Sequence, residues 1–87
     1  MNVTIKAYGS FRDITGKEME LDLPENANVE DAIRVLCKRY EEFRKDFTDE
    51  TLLVLNDRVV LRSRGGMEPN LLKDGDVLGI FPPVSGG

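Results

Sequence analysis

With 87 residues, 40% of them hydrophobic and 32% charged, the chain has room for one small core and the composition of an ordinary globular domain. A formal net charge of −4 argues against a nucleic-acid footprint, which needs a basic stripe, and points to a partner with a basic surface. No apolar run approaches the roughly 18 residues of a membrane-spanning helix, the N-terminus lacks the regions of a signal peptide, and one cysteine closes no internal disulfide, so a cytoplasmic protein is expected.

Val3 to Tyr8 alternates, which predicts a strand with Val3, Ile5 and Ala7 inward and Thr4, Lys6 and Tyr8 outward. Gly9-Ser10 breaks it, and Phe11 and Ile14, three apart, suit a short turn of helix that Thr15-Gly16 ends. Lys17 to Leu23 alternates again, with Met19, Leu21 and Leu23 inward and Glu18, Glu20 and Asp22 outward. Two strands joined this way suggest an antiparallel N-terminal hairpin. The outward acids are either a solvated row or a face for a basic partner.

Pro24 to Asn28 is a connector, and Asn28 with Asp31 three residues on is a variant of the helix capping box. Val29, Ala32, Ile33, Leu36, Cys37 and Tyr40 then fall on one helical stripe, predicting an amphipathic helix across a sheet. Cys37 lies on that stripe, and with no histidine in the chain to activate it, it reads as a core cysteine rather than a nucleophile. Phe43 and Phe47 interrupt a charged stretch and predict a short helical or irregular return packed by the two rings.

Thr51 to Leu55 is more continuously apolar than the earlier strands, which predicts a strand central to the sheet. Asn56-Asp57 is turn chemistry, and Val59 to Leu61 reads as a short returning strand. Arg62 to Asn70, with Gly65-Gly66 inside it, reads as a surface loop. Cleavage after that glycine pair is rejected because it would remove the last strand. Leu71-Leu72 packs back in, Asp74-Gly75-Asp76 turns, and Val77 to Phe81 is the final strand. Short strands and one long helix without a repeat give an α+β domain over residues 1–81.

The last six residues, Pro82-Pro83-Val84-Ser85-Gly86-Gly87, form a tail. The prolines fix φ near −65° and remove two backbone donors, so the strand cannot continue through them. The glycines lack Cβ and can thread a narrow channel. A terminal carboxylate is ionised at neutral pH, since it titrates at about 3.3–3.7, and it is a poor electrophile until activated. Nothing in the sequence forms an active site: there is no zinc-spaced cysteine cluster, nucleophile elbow or phosphate loop, and Asp74 and Asp76 are explained by turn chemistry. A carrier or substrate of other enzymes is the expectation, not an enzyme, with no metal and no cofactor bound by the chain itself.

Lys73-Asp74-Gly75-Asp76-Val77 followed by Phe81 to Gly87 resembles the end of the MoaD-like and ThiS-like sulfur carriers, and equally that of the small archaeal ubiquitin-like modifiers. The resemblance extends to the order of elements over the whole chain. It implies a ubiquitin-like β-grasp fold, a mixed sheet of four to five strands with one main helix across it. It also implies that a ubiquitin-activating-type enzyme, using ATP and magnesium, adenylates the Gly87 carboxylate. A sulfur source then displaces AMP and leaves a thiocarboxylate, and the tail delivers sulfur to a pterin precursor inside a molybdopterin synthase large subunit. Phe81 would anchor the tail base on the partner, Pro82, Pro83, Val84, Ser85 and Gly86 would be tail contacts, and Tyr8 and Val60 would touch the partner enzyme.

From the residues alone, Phe81 is equally the last core residue of a strand and Tyr8 a lone surface aromatic. The resemblance leaves a second function open: conjugation of Gly87 to lysines of target proteins, alone or beside sulfur transfer. Thiazole synthesis fits the Phe-Pro-Pro-Val-Ser segment less well, and a binding module with an inert tail is the plain alternative.

Overall fold

The computed structural model describes residues 1–63, 66–67 and 70–83. In chain order these form β1 (Asn2–Ala7), α1 (Ser10–Thr15), β2 (Glu18–Asp22), α2 (Val29–Arg39), α3 (Glu41–Asp46), β3 (Leu52–Leu55), β4 (Arg58–Val59), β5 (Arg62–Ser63), β6 (Gly66–Met67) and β7 (Val77–Phe81). Five strands make one sheet in the order β2-β1-β7-β3-β4. The β1–β7 pair is parallel and the other pairs are antiparallel.

The alternating segments fold as their pattern requires. Val3, Ile5 and Ala7 of β1 and Leu21 of β2 face one side and are buried, and β1 pairs antiparallel with β2 from Asn2↔Asp22 to Lys6↔Glu18. Leu53, Leu78 and Ile80 join them on that side. The helix α2 covers this face with Val29, Ala32, Ile33 and Leu36. Its start is the expected capping box: the Asp31 N–H donates to Asn28 Oδ1 and the Asn28 N–H to Asp31 Oδ2, each at 2.9 Å. Phe11 of α1 and Phe43 of α3 close the end of the core with ring centroids 5.0 Å apart.

Cys37 is half-buried at the margin of this core. Burial pushes its thiol pKa up, with the Arg44 charge opposing that rise.

Four sequence expectations are corrected. The middle of the sheet is β7, not β3, and Leu52 of β3 is 43% exposed. The apolar run of β3 therefore does not reflect burial on both faces. The returning strand is Arg58–Val59, and Leu61 beyond it is exposed while Val60 is buried. In the supposed loop after Leu61, β5 and β6 pair antiparallel, Arg62 with Met67 and Ser63 with Gly66. The Arg62 guanidinium sits 4.8 Å above the Phe47 ring and donates to the carbonyls of Thr51 and Thr48. Of the pair Leu71-Leu72 only Leu72 packs inward; Leu71 is exposed and bridges to Asn28.

The turns before β4 and β7 follow the sequence. Asn56 and Asp57 both have positive φ, 47° and 70°, as a two-residue type I′ hairpin requires. Asp74 and Asp76 serve the turn at Gly75, accepting from the Asn2 N–H at 2.7 Å and the Lys73 N–H at 2.8 Å. Asp76 also accepts from the Asn56 side-chain amide at 2.9 Å, tying the two turns together.

Candidate functional site

The strand that carries the tail runs up the middle of the sheet. Pairing with β1 on one side and β3 on the other holds β7 along its length and brings Phe81 to the sheet end beside Tyr8 and Leu52. The Tyr8 N–H donates to the Ile80 carbonyl at 3.0 Å, so the parallel register continues one step beyond β1. There the Tyr8 and Phe81 rings stack, with centroids 4.1 Å apart and planes inclined by 4°. Phe81 is half-buried on the face away from α2; Ile80, its neighbour, supplies the core residue.

This open face is divided by chemistry. Its β2 edge carries the exposed acids Glu18, Glu20 and Asp22. Its centre and opposite edge carry Tyr8, Phe81, Leu52, Val54 and Val59, because Leu52 pairs with Phe81 and Val54 with both Gly79 and Val59. Tyr8, Leu52 and Val59 are 41%, 43% and 55% exposed, so the apolar patch is open. A cleft of about 360 Å³ lies within it, walled by Tyr8, Phe81 and Val54, with Lys6 and Asp57 at its edge. Gly79 floors the cleft, and a Cβ there would stand 3.2 Å from the Phe81 ring, so the missing side chain lets that ring lean over the strand.

The other expected site residues are distributed as follows. Pro82 is half-buried and Pro83 exposed at the end of β7. Val84, Ser85, Gly86 and Gly87 lie outside the described residues. Val60 is corrected: it is 4% exposed, its N–H bonds the Leu53 carbonyl at 2.9 Å, and its side chain points into the core. The neighbouring Val59 takes the open-face position, since successive residues of a strand point to opposite sides. Sequence reasoning passed over Leu52, Val54, Val59 and Gly79. Their only signal was an apolar run longer than one buried face needs. Among the described residues, no group of three or more His, Cys, Asp or Glu side chains is placed to hold a metal ion. None of the described helices is long and apolar enough to cross a membrane.

Against curated proteins the chain has no match in sequence. Its fold has several solved counterparts. A protein from Pyrococcus furiosus, described as a candidate molybdopterin converting factor subunit 1, is 35% identical, with 97% of this chain and 99% of that one aligned and a TM-score of 0.78. Small archaeal modifier protein 1 from Methanosarcina acetivorans is 28% identical over 99% of this chain and 96% of its own, with a TM-score of 0.76. The complex of subunits 1 and 2 of molybdopterin-converting factor from Helicobacter pylori contains a chain 25% identical over the full length of both, with a TM-score of 0.65. The mixed five-stranded sheet under its helices is the ubiquitin-like β-grasp of these neighbours. Residues 5–87 match the model of the ThiS family, so nearly the whole chain is covered and the chain belongs to the ThiS family.

Proposed function

We infer that this chain is a sulfur carrier that works through its C-terminal glycine as the small subunit of a molybdopterin synthase. The observation that carries this reading is the end-to-end likeness to the Pyrococcus furiosus protein at 35% identity. In this reading an oxygen of the Gly87 carboxylate attacks the α-phosphate of ATP in a separate adenylating enzyme, with magnesium, and pyrophosphate leaves. A sulfide-level sulfur nucleophile then adds to the acyl carbon, and AMP departs with the carbon–oxygen bond. The product is a thiocarboxylate, whose sulfur goes to a pterin precursor held by a large subunit. The chain contributes no catalytic group; it contributes an address and a handle. The open face of Tyr8, Phe81, Leu52, Val54 and Val59 supplies the address, and the acids of β2 favour a partner with basic residues at that edge. The reaction belongs in the cytoplasm, where ATP is available.

The large subunit is the partner suggested by the Helicobacter pylori complex of subunits 1 and 2. A second reading is favoured by the likeness to small archaeal modifier protein 1: transfer of the activated Gly87 to lysine amines of target proteins. Both fates share the adenylate, so a single experiment tests their common step. The chain is incubated with ATP, magnesium and the ubiquitin-activating-type enzyme of its own cells, and exchange of labelled pyrophosphate into ATP is followed. Exchange that needs the chain and disappears on deletion of Gly87 supports the reading. Exchange that survives the deletion overturns it.

A further inference from the structure

We propose that Gly9 is a positioning residue for the C-terminal tail: its missing side chain makes the seat on which the Pro82 ring rests, and that seat sets the direction in which Pro82 and Pro83 lead the chain off the sheet. The inference rests on the proposed activation of the C-terminus and adds to it a residue far away in sequence.

The geometry comes from the end of the parallel β1–β7 ladder. Its last Cα partners are Ala7 and Ile80, and the Tyr8 N–H still bonds the Ile80 carbonyl at 3.0 Å. One step on, Tyr8 and Phe81 stack; the next step brings Gly9 against Pro82. A Cβ built on Gly9 would stand 2.6 Å from Pro82 Cγ and 3.1 Å from Cδ, well inside contact distance. The pyrrolidine ring is closed onto its own backbone nitrogen, so it cannot swing aside as a free side chain would. Relief would need a change of ring pucker or a turn of the backbone at Phe81 and Pro82, the latter against the Tyr8–Phe81 stack.

Gly9 itself is held firmly. It has φ 57° and ψ −133° at the N-cap of α1, its carbonyl accepts from the Arg12 N–H at 3.1 Å, and the Tyr8 carbonyl accepts from the Phe11 N–H at 3.2 Å. Phe11 is fully buried, which anchors α1 to the core. The first tail residue is thus registered to a rigid corner of the domain, and proline carries that orientation into Pro83.

The test is a pair of comparisons in the pyrophosphate exchange assay. Gly9→Ala in the natural background should lower kcat by about 100-fold, the order expected when a reacting group is misplaced by roughly 1 Å, with a smaller change in KM because Leu52, Val54 and Val59 of the open face are untouched. A side chain at position 9 also strains the backbone at φ 57°, whatever stands at position 82. The same change is therefore made beside Pro82→Gly, where the ring is gone, and there it should have little effect on kcat. Equal losses in the two backgrounds, or no loss beside Pro82, overturn the inference and leave the proposed activation standing. A wild-type chain that supports no exchange overturns both. Should Gly9→Ala not fold, nuclear Overhauser contacts in the wild-type chain decide: cross-peaks between the Gly9 α-protons and the Pro82 ring protons are expected, and their absence overturns the seat.

Discussion

The rings of Tyr8 and Phe81 lie nearly parallel, 4.1 Å apart, at the point where the middle strand of the sheet becomes the tail. The pair joins the first strand to the last, so the tail base is braced by residues from opposite ends of the chain. Stacked aromatic pairs contribute about 0.5–1.5 kcal/mol beyond the area they bury. A double-mutant cycle of Tyr8→Ala and Phe81→Ala in urea denaturation should return a coupling energy in that range, and a coupling near zero would make the stack incidental. Each single change should also weaken binding to the proposed large-subunit partner.

Val59 and Val60 make a sharper contrast, because they are neighbours with opposite surroundings. Val60 is 4% exposed and Val59 is 55% exposed. Val59→Asp should leave stability within about 0.5 kcal/mol while weakening partner binding. Val60→Asp should lower stability by more than about 3 kcal/mol, because it buries a charge without a partner. Calorimetric melting beside a binding titration separates the two effects.

Arg62, expected in a surface loop, has a largely buried side chain that ties neighbouring segments together. Its guanidinium donates to the Thr51 and Thr48 carbonyls and lies over Phe47. Arg62→Ala removes these partners at once and should lower stability by about 1–3 kcal/mol. Lysine at this position should recover only part of that, since an ammonium lacks the planar fork that reaches two carbonyls.

The capping box predicts a smaller and more local loss. Asn28→Ala deletes the acceptor of the Asp31 N–H and should lower stability by about 1 kcal/mol. Amide exchange should quicken first in the opening turn of α2.

Cys37 gives a pH dependence with a definite sign. Burial raises its thiol pKa, so the folded chain holds the proton more tightly than the unfolded chain. The stability linked to this thiol is fully present below the unfolded thiol value of about 8.5 and is lost as pH rises through the folded value. Urea midpoints of wild type and Cys37→Ala should therefore converge as pH rises above about 8.5. Alkylation of Cys37 at pH 8 should be slower than that of a free thiol.

Much of the fold was legible wherever one face of an element is buried and the other is wet. Alternation in β1 and β2 and the stripe of α2 fall in this class, and the Asn28–Asp31 box is a purely local signal. The runs Leu52–Leu55 and Val59–Leu61 were misread because both faces are apolar, one for the core and one for the open patch. Alternation then fades, and a shift of one residue exchanges Val59 for Val60. The β5–β6 ladder has two residues to a strand, too few for any period to show. Tyr8 and Phe81 were singled out through resemblance, but their contact with each other was not. Parallel pairing between the two ends of a chain leaves no local mark, and the same holds for Gly9 and Pro82.

The most direct test of the central claim is mass spectrometry of the chain recovered from its own cells, read at Gly87. The account predicts a population in which one oxygen of the terminal carboxylate is replaced by sulfur. Isopeptide bonds from Gly87 to lysines of other proteins, beside that species, would mean that one activation step feeds two fates. A terminus found only as the unmodified carboxylate, in cells actively making the pterin cofactor, would contradict the account.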